Sequence, residues 1–278
     1  VNRIQGLILA LYARIPLALE ALAVGPVIAS ENNKQHALVS KTELVDQRVL
    51  EIKNVGYQYP NSINASLKNV SITLEKGLMY AIVGPSGAGK TTFVDVCLGL
   101  IKPTSGEVVE IDSGIRYAYV PQHTHLSSVS LKGNVAIEWD DRFIDDDLAD
   151  TAMRQALIEN VFDGRKDDEN SSAMSGGQMQ RIGIARALYR KPNFLVLDEA
   201  TNALDASTEH EIVGLVENLR STMTILVVAH RLSTVRNADK VIYFESGEIK
   251  GIGTFTELQE KIPAFAEQLN LGMFTQNE

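Results

Sequence analysis

The chain has 278 residues and a formal net charge of −9, from 35 acidic and 26 basic side chains. That acidic balance argues against a general nucleic-acid binder, which would carry a basic footprint, and 45% hydrophobic residues are too many for a disordered chain. One cysteine, Cys97, rules out a disulfide framework or a cysteine-rich metal site, so a reducing compartment fits.

Residues 1–29 stand apart. Val1, Ile4, Leu7, Ile8, Leu11 and Ile15 recur at helical spacing. Arg14, Pro16, Glu20, Gly25 and Pro26 interrupt the apolar run, which makes a signal peptide and a complete membrane span poor fits. An apolar helical extension packing on a partner is expected, with a membrane span and an ordinary core helix as the other readings. The chain opens on Val1 rather than Met, so a longer parent or a processed chain is expected. Residues 30–47 are polar and mixed and read as a linker. A compact domain is expected over 48–278, with a helical part at about 123–178.

From Val49 the pattern turns to strands. Val49–Val55 and Val70–Leu74 alternate, with a turn at Pro60-Asn61-Ser62 between them. Met79–Val83 is a short apolar run suited to a buried strand, and Thr92–Leu98 reads as a helix. Glu107–Ile111 and Ile115–Val120 are expected strands, and Pro121-Gln122 ends the β character. Between about Leu131 and Phe162 the sequence becomes acidic and helical. Asp145–Asp147 suits a helix start, and the acidic runs are read as solvated faces. A periodic helix through Ile182, Ala185 and Leu188 stops before Pro192. Phe194–Leu197 and Thr224–Ala229 read as buried parallel strands, with a helix near Ser207–Leu219 between them. Val241–Phe244 is a further strand, Glu245–Glu248 a hairpin turn, and Thr256–Leu271 a closing helix.

Between the strand Met79–Val83 and the helix after it runs Gly84-Pro85-Ser86-Gly87-Ala88-Gly89-Lys90-Thr91, with Thr92 next. It fits the phosphate-loop pattern GxxxxGK[ST] at every fixed position and in the strand–loop–helix context the motif requires. Its glycines let successive N–H groups turn inward to an anion, and the helix adds its positive end. Lys90 suits the β- and γ-phosphates and the Thr91 hydroxyl suits Mg²⁺. About a hundred residues on, the apolar run Phe194–Leu197 ends in Asp198-Glu199. At the carboxyl end of a buried strand Asp198 suits the metal, and Glu199 suits a base for a water beyond the γ-phosphate.

Through Ser175-Gly176-Gly177-Gln178, preceded by Met174, together with the phosphate loop and the acidic pair, the chain resembles the nucleotide-binding domain of an ATP-binding cassette (ABC) transporter. This stretch is similar to the signature motif LSGGQ, and the likeness covers roughly Val49 to Leu271. The fold implied is α/β: a phosphate-loop NTPase core with a mostly parallel sheet, an antiparallel β subdomain, an α-helical subdomain and an N-terminal helical extension.

The resemblance assigns roles residue by residue. Tyr59 would stack on adenine, with Tyr57 the other candidate. Gln122 would be the Q-loop glutamine on Mg²⁺ and the water, and His230 the switch histidine on the γ-phosphate. Asp205 would lie in the D-loop, reaching across a dimer. Ser175–Gln178 would close head to tail over the ATP of a second ABC domain. The cofactors implied are ATP and Mg²⁺, and the partners a second ABC domain and a transmembrane domain, at the cytoplasmic face of a membrane (the inner membrane in a bacterium). One departure stands at 166–173, Lys-Asp-Asp-Glu-Asn-Ser-Ser-Ala, where exporters usually carry a glycine. An exporter-type ATPase is expected, because an apolar segment precedes the domain. The alternatives are an importer subunit, a soluble non-transport ABC ATPase, and a nucleotide sensor without turnover, against which the presence of Glu199 argues.

Overall fold

A computed structural model describes residues 46–60, 62–158, 174–198 and 206–270. The expected N-terminal extension and most of the linker lie outside the described residues, as do the segment before the signature and the stretch holding Glu199 and Asp205. Gln47–Glu278 makes one compact unit.

The strands in chain order are β1 (Arg48–Tyr57), β2 (Leu67–Glu75), β3 (Met79–Val83), β4 (Ser105–Glu110), β5 (Tyr117–Val120), β6 (Phe194–Asp198), β7 (Thr224–Val228), β8 (Lys240–Glu245) and β9 (Glu248–Gly253). The helices are α1 (Lys90–Cys97), α2 (Leu131–Ala136), α3 (Asp146–Gln155), α4 (Gly176–Tyr189), α5 (Ala206–Arg220), α6 (Leu232–Asn237), α7 (Phe255–Lys261) and α8 (Pro263–Asn270). A 3₁₀ turn, Asp141–Phe143, lies between α2 and α3.

Two sheets form. The larger has the order β5-β6-β7-β3-β8-β9, parallel throughout except for the β8–β9 hairpin. The smaller is antiparallel, β2-β1-β4. This is the expected core with its antiparallel β part.

The large sheet is covered on both faces, which is why its central strands read as unbroken apolar runs. Successive side chains point to opposite faces. Met79, Ala81 and Val83 of β3 join one core with Leu195, Leu197, Ile225, Val227 and residues of α4 and α5. Tyr80 and Ile82 join the other, with Phe194, Val196, Phe93 of α1 and the inward residues of β1 and β2. The phosphate-loop helix is thus clamped between the two sheets.

Two expected helices are subdivided. The acidic stretch after Leu131 breaks at Ile137, whose left-handed backbone (φ 57°) caps α2, and restarts where the Asp145 carboxylate accepts from Leu148 N–H at 3.1 Å. The closing helix breaks at Ile262, held extended by Pro263, and Pro263 then opens α8 as a first helical residue. Among the described residues no helix is long and apolar enough to cross a membrane.

Candidate nucleotide site

Parallel pairing brings four strand ends to one edge, where open α/β sheets bind their ligands. β3 runs into the phosphate loop. β7, paired to β3 with Ile82 opposite Val228, delivers His230 two residues beyond its end. β6 pairs with β7 with Asp198 opposite Val228. β5 pairs with β6 with Val120 opposite Leu197, and Gln122 follows. Neighbouring strands stand about 5 Å apart, so the ends carrying Asp198 and the loop are separated by about 10 Å. The register thus assembles Gln122, Asp198, His230 and the loop in spatial order from residues distant in the chain.

The loop is built around close backbone approaches. Gly84 has φ 146°, and a Cβ there would stand 2.0 Å from the Phe244 carbonyl oxygen. Gly89 has φ 102°, and its Cβ would stand 2.5 Å from the Ser66 carbonyl oxygen. Only glycine combines those angles with that crowding. The next turn is fastened to the β8–β9 hairpin, where Gly247 N–H donates to the Ala88 carbonyl at 3.0 Å. Pro85, Ser86 and Gly87 form the outer bend, with Ser86 and Gly87 exposed.

Lys90 is buried, and its ammonium donates to the carbonyls of Gly84 at 2.8 Å and Pro85 at 3.0 Å. A strongly hydrated cation held this way lies folded over the loop, on a stem long enough to turn toward an anion. Helix α1 starts at Lys90 with Gly89 as N-cap and no side-chain cap, so no side chain competes for its first N–H groups. Thr91 is exposed at that end, while Thr92 is buried.

Tyr59 stands above this helix. Its phenol oxygen lies 3.3 Å from Thr92 Oγ1, and its ring is 40% exposed. Tyr57 meets it edge-on, centroids 4.9 Å apart at 90°, and itself packs against the core. Of the two candidates, Tyr59 has the open face.

At the end of β6 the Tyr119 hydroxyl donates to Asp198 Oδ2 at 2.9 Å. Asp95 of α1 is close enough to feel that carboxylate: burial first, and then the negative charge of Asp198, push its own carboxyl above the usual range. The helix from the phosphate loop therefore brings Asp95 within electrostatic reach of Asp198 at the end of β6. Neither Tyr119 nor Asp95 was singled out from sequence. The available signals were that Asp95 lies four residues after Thr91, on the same helical face, and that Tyr119 precedes Gln122 by three.

The signature stretch opens α4 with a capping box. Ser175 Oγ accepts from Gln178 N–H at 3.3 Å, while Gln178 Oε1 accepts from Ser175 N–H at 3.0 Å. Ser175 and Gly176 are exposed and Gly177 is buried, so the start of the helix faces outward. Glu199 and Asp205 lie outside the described residues.

The donor set suits a nucleotide triphosphate with Mg²⁺. The cradle excludes Cβ atoms at Gly84 and Gly89, and the uncapped helix start is a match for phosphate oxygens. Among the described residues no group of three or more His, Cys, Asp or Glu could hold a metal unaided. Mg²⁺ needs no such cage, because it keeps waters and takes phosphate oxygens beside one or two protein ligands.

Residues 67–202 match the ABC transporter domain family. The chain belongs to the ABC transporter family. It is 35% identical over 254 residues to the "ATP-dependent lipid A-core flippase" of Photobacterium profundum, covering 86% of this chain and 43% of that protein. It is 33% identical over 235 residues to "ABC transporter B family member 13" of Arabidopsis thaliana, covering 80% of this chain and 19% of the relative. A solved bacterial Atm1-family ABC exporter with ATP bound superposes with a TM-score of 0.72 at 27% identity, over 82% of this chain and 42% of that one. The chain therefore spans less than half the length of these relatives. It carries an exporter-type ABC ATPase domain with the fold expected from the sequence.

Proposed function

We propose that the chain binds and hydrolyses Mg·ATP to drive an export transporter at the cytoplasmic face of a membrane, in a bacterium the inner membrane. The observation that carries this is the convergence of Lys90, Asp198, His230 and Gln122 on one sheet edge around a Cβ-excluding loop. The triphosphate lies along the N–H groups of Gly84–Thr92, with Lys90 moving from the loop carbonyls to the β- and γ-oxygens. Tyr59 stacks on adenine. Thr91, Gln122 and Asp198 would hold Mg²⁺, which would supply charge neutralisation at the phosphates. Glu199 takes the proton of the attacking water, and His230 orients the γ-phosphate.

The outward-facing start of α4 supports a head-to-tail dimer. Ser175, Gly176, Gly177 and Gln178 present a hydroxyl and helix N–H groups to the γ-phosphate held by a second ABC domain, identical or paralogous, and Asp205 contacts that partner. Loss of the γ-phosphate removes those contacts and opens the dimer. Residues 48–278 form the ATPase, 123–178 its helical part, 30–47 the linker, and 1–29 the cytosolic end of a transmembrane domain whose helices select the cargo. A role for nucleic acid has no support in a chain of charge −9.

The test is the Glu199→Gln variant, with solution mass measured with and without Mg·ATP. Without the base the ATP-bound dimer should persist, so the mass should double only with Mg·ATP, while ATPase activity present in the parent is lost. A parent with no ATPase activity and no ATP binding would overturn the proposal.

A further inference from the structure

We infer that Tyr119 is a positioning residue for the metal: its hydroxyl holds the Asp198 carboxylate in the orientation that Mg²⁺ needs. The inference rests on the ATP-driven reading above, since it concerns the metal of that same site.

Three observations carry it. The first is the hydrogen bond itself, in which the phenol O–H donates to Asp198 Oδ2 at 2.9 Å in a half-buried setting. It engages one oxygen and so limits rotation of the carboxylate about its last bond. Carboxylate ligands of metals are commonly oriented by such outer hydrogen bonds.

The second is the register. Tyr119 lies opposite Val196 and Val120 opposite Leu197. Residues two apart in a strand share a face, so Asp198 is on the face of Val196 and one step further along. A side chain of tyrosine length leaning along β5 covers that step. A serine or threonine hydroxyl at 119 would sit near Val196, short of the carboxylate.

The third is the strand exit itself. Tyr119 precedes Gln122 by three residues on the same strand exit. Asp198 and Gln122 are thereby tied to one strand, β5, so their spacing is set by backbone pairing as well as by side-chain rotamers.

The experiment uses the full 278-residue chain saturated with a non-hydrolysable ATP analogue. Mn²⁺ is titrated in and its free signal followed by electron spin resonance, so the readout is metal occupancy rather than turnover. Tyr119→Phe keeps the ring and removes only the hydroxyl. It should raise the Mn²⁺ concentration at half-saturation about 10-fold, in the range seen for residues behind a metal ligand. Affinity for the analogue in EDTA should stay within about 2-fold of the parent, because the loop and Tyr59 are untouched. In an Asp198→Asn background, Tyr119→Phe should add no further shift, since both changes act through one carboxylate.

A metal titration unmoved by Tyr119→Phe would overturn the inference alone. So would equal losses with and without metal, or a full additional shift in the Asp198→Asn background. If the parent chain failed to bind the analogue at all, the ATP-driven reading itself would fall.

Discussion

Gly84 and the carbonyl of Phe244 are in such close approach that a Cβ on the glycine would lie 2.0 Å from that oxygen. Phe244 is on β8, the strand beside β3, so the first turn of the phosphate loop is moulded against the neighbouring backbone. Gly84→Ala should therefore strain φ 146° and displace β8 at once. The expected cost is about 2–4 kcal/mol of stability, combining backbone strain and overpacking. Denaturant unfolding measures it, and a loss below about 0.5 kcal/mol would mean the loop relaxes freely.

Tyr59 offers its exposed ring beside Thr92, while Tyr57 props its edge. Tyr59→Ala should weaken ATP binding by about 1–3 kcal/mol, the usual worth of a base–aromatic stack. Tyr59→Phe should keep most of it, because the 3.3 Å contact to Thr92 Oγ1 only orients the ring. Calorimetric titration with ATP decides the matter; equal losses in both variants would assign the effect to the hydroxyl.

Gly183, in the middle of α4, faces Thr124 just after Gln122. A Cβ at 183 would stand 2.3 Å from Thr124 Oγ1. Threonine is stiff at χ1, so it cannot easily swing aside. Gly183→Ala should cost about 1–3 kcal/mol despite the better helix propensity of alanine. Adding Thr124→Ala should restore most of that, and a double-mutant cycle on thermal unfolding reads the coupling directly.

The turn before β3 is pinned to the loop after β4. Lys76 Nζ lies 2.9 Å from Asp112 Oδ2, and Gly114 N–H donates to Asp112 Oδ1 at 3.0 Å. The Lys76 ammonium first, and then the Gly114 amide, hold the Asp112 carboxyl below its usual range. A depressed folded value means that the ionised group stabilises the fold above the unfolded carboxylate value and loses that contribution as pH falls through the lower folded one. Asp112→Asn should therefore melt lower than the parent at pH 7, with the gap unchanged from pH 6 to 8 and closing on acidification into the carboxylate range. A gap that persisted at pH 2 would show that charge is not its source.

Much of this was legible in the sequence because local rules were strong there. Met79–Val83 is a strand with the bounds its apolar run suggested, and Asp145 caps a helix as its acidic cluster implied. The closing stretch expected as one helix is two, because a proline at 263 forces the residue before it to be extended. The missed partners, Tyr119 and Asp95, belong to another class. Nothing local distinguishes a tyrosine in a strand, and its meaning depends on which strand pairs beside it.

By itself the sequence determined the chemistry: a phosphate loop, an acidic strand end, a signature helix start and the alternation that makes two sheets. These follow from spacing and residue type, which act over a few residues. Only the tertiary structure decided who meets whom. It set β7 between β6 and β3, so that His230 and then Asp198 stand in order on one side of the loop. It turned Tyr59 rather than Tyr57 to the open side, and it placed a phenol from β5 on the carboxylate of β6. Those outcomes depend on strand order and register, which are fixed by packing two apolar faces across the whole domain and cannot be read from any single stretch.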